Sequence, residues 1–458
     1  MITLRQFIPL LLWAALSRAI ELPPEPTLPA TVCVELKAEI RESPVGYIPE
    51  ADESKPDTVR IQKALEGCPA GEAVKLVKGN GNAFLAGHLS VPSGVTLWVD
   101  EGVTLFASRN PRDFDVGANS CGTEDGTNDG CLPLISIKNG TGNGIVGDGV
   151  IDGRGGQKMI GSDEAWWELA WRVKSSNTEQ SCPRLIMVED SEDFLMYRIR
   201  LHNSPFWHFA TENVLGMIIW GVKVDTPSVA YPAGTRARNT DGLDPNGKNI
   251  VITQCYINSG DDSIAIKAKK HPVENVLIQD NHFYAGHGMS IGSEINEGAV
   301  NVTVRNLTIR DAQNGLRIKS DVSKGGHVRG ILYENVCIRN TEKLLVFDTY
   351  YSKKPGNKIP HFHDIHVTKT RLISSPLKQA IFRGYNKEVP LKLRLDNVVS
   401  DVEVYNLTAS NAEITFGPGE VVGIPLAENV HTNVKVFRYE SEKSTPIDCT
   451  NAFVPFPR

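Results

Sequence analysis

Three carboxylates, one histidine and two basic residues recur in four short phrases along the middle of the chain. The phrases are Asn239-Thr240-Asp241, Gly260-Asp261-Asp262, Gly286-His287-Gly288 and Arg317-Ile318-Lys319. Each lies beside a short β-rich run, and they are spaced at intervals of roughly one coil of a stacked solenoid. In such a stack they would share one face. An acid, a base and basic residues that can bind an anionic group, all on one face, predict hydrolysis of an acidic polysaccharide.

The adjacent residues Asp261 and Asp262 would point to opposite faces on a strand, but Gly260 permits a bend that turns both outward. Together with Asp241 they could form a cluster of like charges, which raises the pKa of at least one carboxyl. One carboxyl can then stay protonated as the acid while another acts as the base. Taken alone, the pair is more typical of a turn cap or a calcium site than of a catalytic centre.

The basic residues offer a local grip for a negatively charged ligand. Arg317 and Lys319 alternate on a predicted strand and therefore face the same way, as a sugar carboxylate requires. The formal net charge of −6 argues against nucleic acid and against a polyanion held by bulk charge. His287 lies between two glycines, where it could hydrogen-bond an aspartate, although a single histidine is more often structural.

The elements that must position these residues are short runs rich in valine and isoleucine. Successive runs begin about 23 to 32 residues apart, with glycine and asparagine turns between them rather than helices. The pattern predicts an all-β fold, a right-handed parallel β-helix, with a β-sandwich or propeller as the alternative from periodicity alone. Several runs carry a polar residue at their centre, which predicts side-chain ladders at a bend. The runs are residues 194–201, 217–224, 249–257, 276–279, 302–309 and 331–338.

The N-terminal sequence predicts a leader and a capping element. Arg5, an apolar stretch over 7–16 and Ser17-Arg18-Ala19 predict a signal peptide of residues 1–19, and hence secretion. A membrane anchor is the alternative, but the apolar stretch is shorter than the ~20 residues of a membrane span. Residues 58–66 predict an amphipathic helix that caps the solenoid, with Val59 among its inward residues. We expect residues 20–458 to form a single catalytic domain.

Eight cysteines in a secreted chain predict disulfide bonds. Proximity along the chain favours Cys121–Cys131 first and Cys33–Cys68 second. The other four cysteines are scattered, so some are expected to be buried thiols, and Cys449 could staple the C-terminal segment. Sequons for glycosylation occur at Asn139, Asn301, Asn306 and Asn406.

The four phrases, in this order and spacing, resemble the polygalacturonases, the family 28 glycoside hydrolases. The matching sequences are NTDGLDP (239–245), GDDSIAIK (260–267), GHGMSIGSE (286–294) and NGLRIKS (314–320). The resemblance extends over most of residues 95–400 and is closest to the bacterial endo-acting branch. It implies inverting hydrolysis of α-1,4 bonds between galacturonate units of de-esterified pectin, without a metal or an organic cofactor. We expect a monomer with neither nucleic acid nor membrane as a partner.

The resemblance also implies roles for individual residues. Asp261 would be the general acid, Asp241 and Asp262 would activate water, and His287 would support the acid. Arg317 and Lys319 would hold galacturonate carboxylates near the scissile bond. The full set of expected substrate-binding residues is Arg317, Lys319, Asn239, Tyr351 and Lys267. Tyr350 is adjacent to Tyr351, which leaves open which tyrosine serves the subsite.

Several alternatives remain within and beyond this chemistry. The pair Phe206-Trp207 resembles some exo-acting relatives, so an exo-polygalacturonase or a rhamnogalacturonan or xylogalacturonan hydrolase is the second hypothesis. The loops over 155–181 and 350–361 would decide between endo and exo action. A lyase and a non-catalytic pectin-binding solenoid are further alternatives, and the three aspartates argue against both.

Two other features have more modest interpretations. Trp166, Trp167 and Trp171 are spaced as on a helix, which favours packing over the solenoid wall above sugar stacking. The acidic loop over 124–130 is similar to a calcium loop but lacks the terminal glutamate of that motif.

Overall fold

Short, mutually parallel β-strands make up nearly all the regular secondary structure of this computed structural model. The structure describes residues 21–43, 46–176, 178–232, 234–426, 432–440 and 442–457. The predicted signal peptide, residues 1–19, lies outside these ranges. Within them, no helix combines the length and the apolar character needed to cross a membrane.

The described residues contain 29 strands and two α-helices. The helices are α1 Thr58–Gly67 and α2 Trp166–Ser176, and single-turn 3-10 helices span Glu50–Asp52 and Pro111–Asp113. The strands are β1 Val32–Lys37, β2 Ala73–Val77, β3 Ala83–Ala86, β4 Leu89–Ser90, β5 Thr96–Val99, β6 Thr104–Ala107, β7 Ile135–Lys138, β8 Gly144–Val146, β9 Val150–Asp152, β10 Ile186–Tyr197, β11 Arg200–His202, β12 Phe209–Trp220, β13 Lys223–Asp225, β14 Leu243–Asp244, β15 Gly247–Thr253, β16 Tyr256–Asn258, β17 Ile264–Ile266, β18 Val273–Phe283, β19 Met289–Gly292, β20 Ala299–Arg310, β21 Asn314–Lys319, β22 His327–Arg339, β23 Lys343–Asp348, β24 His361–Leu372, β25 Gln379–Arg383, β26 Leu391–Ser400, β27 Asn406–Phe416, β28 Val421–Val422 and β29 Thr432–Arg438.

These strands stack in three parallel ladders, and the chain visits each ladder once per coil. The first ladder aligns Phe209, Leu243, Ile264, Met289, Leu316 and Leu345. The second aligns Met217, Ile250, Val276, Val302, Ile331 and Ile365. The third aligns Leu201, Val224, Ile257, Phe283, Ile309 and Ile338. All of these side chains are buried, so the inward residues of the three ladders form the core of the parallel β-helix predicted from the sequence.

The predicted ladder of polar residues forms at the bend between the second and third ladders. The Asn306 amide donates to Asp280 Oδ1 at 2.7 Å, and the Asn335 amide donates to Asn306 Oδ1 at 2.7 Å. All three residues have left-handed backbones, with φ between 54° and 57°. Asparagine and aspartate tolerate this conformation better than other residues with a Cβ, which explains their presence at the bend. We call this set the asparagine ladder.

Helix α1 packs on the first coils, as the amphipathic pattern predicts. Ile61 and Leu65 are fully buried against the core. Val59 is 80% exposed, so the expectation that it faces inward is wrong. Residues two apart on a helix point in different directions, and Ile61 already occupies the inward face.

Three disulfide bonds join residues 10, 35 and 112 positions apart in the sequence. Cys33–Cys68 and Cys121–Cys131 confirm the two predicted pairings, and Cys337–Cys449 joins the C-terminal segment to β22. Cys182 and Cys255 are buried thiols.

Candidate active site

The four phrases meet on the outer side of the first ladder. Asp241, Asp261 and His287 each lie in the turn that precedes a strand of this ladder, whereas Arg317 and Lys319 lie within β21. Successive turns are joined by backbone hydrogen bonds. The Gly242 amide donates to the Asp262 carbonyl at 2.8 Å, and the His287 amide donates to the Asp261 carbonyl at 2.7 Å.

The glycines beside His287 are required by the close stacking of these turns. Gly286 has a φ of 84°, and a Cβ there would lie 2.2 Å from the Asp261 carbonyl oxygen. Gly288 has a φ of 73°, and a Cβ there would lie 2.0 Å from the Asn314 carbonyl oxygen. Only glycine accepts both the left-handed conformation and this approach of the next coil. The spacing of His287 from Asp261 is therefore set by backbone contact.

Asp262 is a buried carboxylate that forms ion pairs with both basic residues, Arg317 and Lys319. Its Oδ2 lies 2.7 Å from Lys319 Nζ, while Oδ1 accepts from Arg317 Nη2 and, at 2.8 Å, from the Ser290 hydroxyl. The Asp262 side chain is 1% exposed. Burial alone would raise the pKa of Asp262, but the charges of Arg317 and Lys319 outweigh burial and hold this pKa well below its usual range.

Asp261 forms a second ion pair, with His287. His287 Nδ1 lies 2.8 Å from Asp261 Oδ1, and both side chains are more exposed than Asp262, at 24% and 17%. Burial opposes the charged form of each group, but the hydrogen bond and the opposite charge outweigh it. The pKa of Asp261 is lowered and the pKa of His287 is raised. In this pair the proton resides on the imidazole.

Asp241 belongs to a third group of charges, arranged around Lys267. The Lys267 ammonium lies 3.5 Å from Asp241 Oδ2, 3.7 Å from Asp244 Oδ2 and 3.2 Å from Glu294 Oε2. Burial and then the charges of Asp244 and Asp261 raise the pKa of Asp241 well above its usual value. Lys267 was predicted to bind substrate, and the structure surrounds its ammonium with three carboxylates.

Asp244 is the least satisfied carboxylate of this group. Its side chain is 1% exposed, and neither carboxylate oxygen has a hydrogen-bond donor among the described residues. Burial raises the pKa of Asp244 to about 7, although the charge of Lys267 lowers it in part. Glu294 also pairs with Lys324, at 3.5 Å, so three carboxylates share two lysines. The raised pKa values of Asp241 and Asp244 favour a proton close to Asp241.

The remaining predicted residues lie at the edges of this cluster. The Lys319 ammonium is 5.1 Å from the ring centroid of Tyr351, whereas Tyr350 stacks on Tyr385 and donates its hydroxyl to the Tyr385 carbonyl. Of the two tyrosines, Tyr351 is thus the one that contacts a candidate site residue. Asn239 has a φ of 56° and precedes the turn that carries Asp241.

A pocket of about 700 Å³ opens beside Asp261 and His287. On one side it is lined by Trp171, whose ring centroid lies 5.0 Å from Lys174 Nζ, 5.4 Å from Arg236 Cζ and 5.7 Å from Arg238 Cζ. Trp166 and Trp167 are buried, as packing predicts, but Trp171 lies at this pocket. The pocket therefore combines an indole face with three cations, a combination suited to an anionic sugar.

The acidic loop over 124–130 has protein partners for its carboxylates. Glu124 Oε2 lies 2.6 Å from Arg172 Nη1, and Asp125 Oδ2 accepts from Ser181 Oγ at 2.6 Å. These contacts tie the loop to α2 and to the segment that follows it.

Sequence reasoning missed the residues that complete the cluster from neighbouring coils. They are Asp244, Ser290, Glu294 and the pocket residues Lys174, Arg236 and Arg238. The first three lie inside the matched phrases, so a search for further carboxylates and hydroxyls there could have found them. The pocket cations carry no comparable signal, because three basic residues on two separate segments look like ordinary surface charge.

Comparison with known proteins identifies the family. Residues 81–399 match the family described as Glycosyl hydrolases family 28. A polygalacturonase of Ralstonia solanacearum is 41% identical, over 94% of this chain and 92% of that protein. An endo-polygalacturonase of Pectobacterium parmentieri is 41% identical, over 84% and 90%. The solved polygalacturonase from Erwinia carotovora ssp. carotovora has a TM-score of 0.77 and 38% identity, and the match covers 86% of this chain and 99% of that one. The chain therefore belongs to the glycosyl hydrolases of family 28, as a glycoside hydrolase of the polygalacturonase type.

Proposed function

We propose that the chain is a secreted, endo-acting enzyme that hydrolyses α-1,4 bonds between galacturonate units of de-esterified pectin with inversion at the anomeric carbon. One observation carries the proposal. The Asp261–His287 pair opens onto the pocket, directly beside an Asp262 that is held by Arg317 and Lys319. An acid with a proton reserve thus adjoins a carboxylate base and two cations that suit a sugar acid.

The exposure of the three aspartates supports Asp261 as the general acid. Asp261 lines the pocket, whereas the side chains of Asp241 and Asp262 are 5% and 1% exposed. A leaving glycosidic oxygen can therefore approach Asp261, with the proton held nearby on His287. An arriving galacturonate brings a negative charge, which raises the pKa of the carboxyls around it. The same charge raises the pKa of the His287 imidazole, so the Asp261–His287 pair would keep its proton until Asp261 passes it to the leaving oxygen.

The same change prepares Asp262 as the base. In the free enzyme Arg317 and Lys319 hold the pKa of Asp262 low, which makes it a weak proton acceptor. A substrate carboxylate that takes over part of their hydrogen bonding raises the pKa of Asp262 and strengthens it as a base for water. Asp241 would orient that water together with Asp262, and the Lys267 group would set its protonation.

Endo action rests on the resemblance to the endo-polygalacturonase of Pectobacterium parmentieri, which extends over most of both chains. Lys174, Arg236 and Arg238 would hold galacturonate units beyond the scissile bond, since a single acid–base centre does not need three further cations. The exo-acting and rhamnogalacturonan or xylogalacturonan alternatives predict a different product pattern from the same chemistry.

The direct test follows viscosity and new reducing ends together during digestion of polygalacturonate, with ultraviolet absorbance recorded for unsaturated products. A steep fall in viscosity at few cleavages, without absorbance, is the expected result. Slow viscosity loss with release of monomer or dimer would show exo action. Absorbing products would show elimination, and activity on rhamnogalacturonan alone would overturn the substrate. The Asp261→Asn variant is the matched inactive control.

Two further measurements test the finer claims. Proton magnetic resonance of the first products should show the β anomer, because inversion of an α bond produces it, and an initial α product would contradict inversion. N-terminal sequencing of the protein recovered from the medium should begin at Ile20 if residues 1–19 are removed as predicted. Recovery of the intact N-terminus in a membrane fraction would instead support the anchor.

A further inference from the structure

Three histidines form a compact cluster away from the candidate active site, at the beginnings of β22 and β24. They are His327, His361 and His363, and one ring nitrogen of each lies within 4.8 Å of the others. The ring centroids are 4.9 Å apart for His327–His361, 4.7 Å for His327–His363 and 4.4 Å for His361–His363. His327 Nε2 and His363 Nε2 are in direct contact.

The solenoid itself brings these rings together. His327 and His361 are register partners on adjacent coils, and His363 lies two residues further along β24, on the same face of the strand. The rings are therefore close in space because adjacent coils stack in register, although His327 is far from His361 and His363 in the sequence. All three side chains are exposed or half-buried, so an ion could reach them from solvent.

A carboxylate orients one of the rings in the manner of a metal ligand. His363 Nδ1 lies 2.7 Å from Asp364 Oδ2, which places the proton on Nδ1 and leaves Nε2 as the free donor of an electron pair. That free Nε2 is the atom that faces His327. A carboxylate behind a histidine is the usual outer partner of a metal-binding imidazole.

We propose that His327, His361 and His363 bind a divalent transition-metal ion of the zinc, nickel or copper class. Imidazole nitrogens favour these metals over magnesium and calcium, which prefer oxygen ligands. Tetrahedral coordination at about 2.0 Å places ligand nitrogens roughly 3.3 Å apart, so small side-chain rotations would convert the present cluster into three ligands. A fourth position would remain for water.

The local charges set an upper limit on affinity. The ligands are neutral imidazoles and Asp364 supplies one negative charge, while Arg329 is the register partner of His363. A cation on the neighbouring coil opposes the charge of the ion. We therefore expect a dissociation constant in the micromolar range rather than the much tighter binding of a structural zinc site.

The ion would fasten the segment that carries Tyr351. Residues 349–360 join β23 to β24, and their backbone is already tied to the preceding coil. The Tyr351 amide donates to the Ser320 carbonyl at 3.0 Å, and the His361 amide donates to the Gly326 carbonyl at 2.9 Å. A metal between His327 and His361 would add a second tie at the end of this segment. Its role would be structural, and it would take no part in hydrolysis.

The test uses the full chain without a polyhistidine tag, stripped with a chelator and then dialysed. Calorimetric titration with Zn²⁺ and, separately, with Ni²⁺ should show one ion per chain. His363→Ala and the double variant His327→Ala/His361→Ala should each weaken binding at least about 100-fold. Asp364→Asn should weaken it by about 10- to 100-fold.

Matched controls distinguish this site from adventitious binding. His271 is a partly exposed histidine with Glu212 as its neighbour, so His271→Ala should bind the ion as wild type does. Each variant should hydrolyse polygalacturonate at the wild-type rate without metal, which shows that it is folded. Absence of a one-to-one site in the wild-type chain, or retention of that site in the double variant, would overturn the proposal. Saturating Zn²⁺ should also raise the Tm of the wild type and leave that of the double variant unchanged.

Discussion

Two sets of polar side chains from successive coils make contacts of different kinds. One is the asparagine ladder. The other is the charged cluster of the candidate active site, made of Asp241, Asp244, Asp261, Asp262, Lys267, His287, Glu294, Arg317 and Lys319. In the ladder each neutral amide donates to the oxygen of the coil before it, at 2.7 Å in both steps. In the cluster the contacts are between opposite charges, as at Lys319 and Asp262. The ladder is repetitive, whereas each coil brings a different residue type to the cluster.

The difference shows which face of the solenoid is built for stability. Every member of the asparagine ladder has a hydrogen-bond partner, and such a ladder stabilises stacking without any ligand. The cluster contains Asp244 without a hydrogen-bond donor among the described residues, and the pKa values of Asp241 and Asp244 are raised. Buried charge that is incompletely neutralised is costly, and it is typical of a site that awaits a ligand or a proton.

The largest expected effect is on turnover, from removal of the acid. Asp261→Asn should lower kcat for polygalacturonate by about 10²- to 10⁴-fold, because the amide cannot donate a proton as a carboxylic acid does. Its partly exposed pairing with His287 means that the free energy of unfolding should change by only about 1 kcal/mol. Steady-state kinetics and denaturant unfolding measure the two quantities.

The contrasting variant is Asp262→Asn, which should lose activity and also stability. It leaves Arg317 and Lys319 buried without their counter-charge, which typically costs about 3–5 kcal/mol. Equal stability of the Asp261 and Asp262 variants would contradict the distinction between a pocket acid and a buried, ion-paired carboxylate.

The next effect is on substrate affinity. Lys319→Met should raise KM for polygalacturonate about tenfold or more, since a charge-assisted hydrogen bond contributes about 1.5–3 kcal/mol. The control is Lys248→Met, which removes a solvent-exposed lysine paired with Glu274 on the second ladder. If both variants had the KM of the wild type, Lys319 would be only a structural counter-ion for Asp262.

A third effect concerns the pH dependence of stability. The pKa of Asp244 is about 7 in the folded protein against an ordinary value of 3.8, so the folded state binds more protons between these values. Stability contributed by this group is complete below pH 3.8 and is lost as the pH rises through about 7. Asp244→Asn should reduce that loss by on the order of 2 kcal/mol, although the raised pKa of Asp241 preserves part of it.

Unfolding midpoints measured from pH 4 to pH 8 test this expectation. Asp163→Asn is the control, because its side chain is fully exposed and should leave the profile unchanged. Parallel profiles for wild type and Asp244→Asn would show that Asp244 is ionised throughout.

The smallest effect on catalysis belongs to the asparagine ladder, whose variants should change only stability. Asn306→Ala should lower the free energy of unfolding by about 2 kcal/mol, from the lost hydrogen bonds and from the strain of a left-handed alanine. Asn306→Gly should cost less, because glycine accepts the φ of 54°. Both variants should keep the wild-type kcat. If Asn306→Ala lowered kcat as much as Asp261→Asn does, the ladder face could no longer be called structural and the charged cluster catalytic.

Much of the fold could be predicted because its signals are local. Valine and isoleucine runs, a polar residue at each bend and the four phrases are all contiguous in the sequence, so the coil spacing of Asp261, His287 and Arg317 follows from counting residues. The pairing of Asp262 with Ser290, 28 residues away, depends instead on the register between coils of unequal length. The contact of His327 with His361 depends likewise on how residues 349–360 return to the solenoid. Such contacts are decided by turn geometry, which composition does not specify.

The Cys337–Cys449 disulfide closes a covalent ring across the last coils, between cysteines that are 112 positions apart in the sequence. A protease that cuts once anywhere inside this ring leaves two fragments that are still joined. A nicked chain would therefore migrate as a single species on a non-reducing gel and separate only after addition of a thiol. The final strands would in this way stay attached to the solenoid after a single cut.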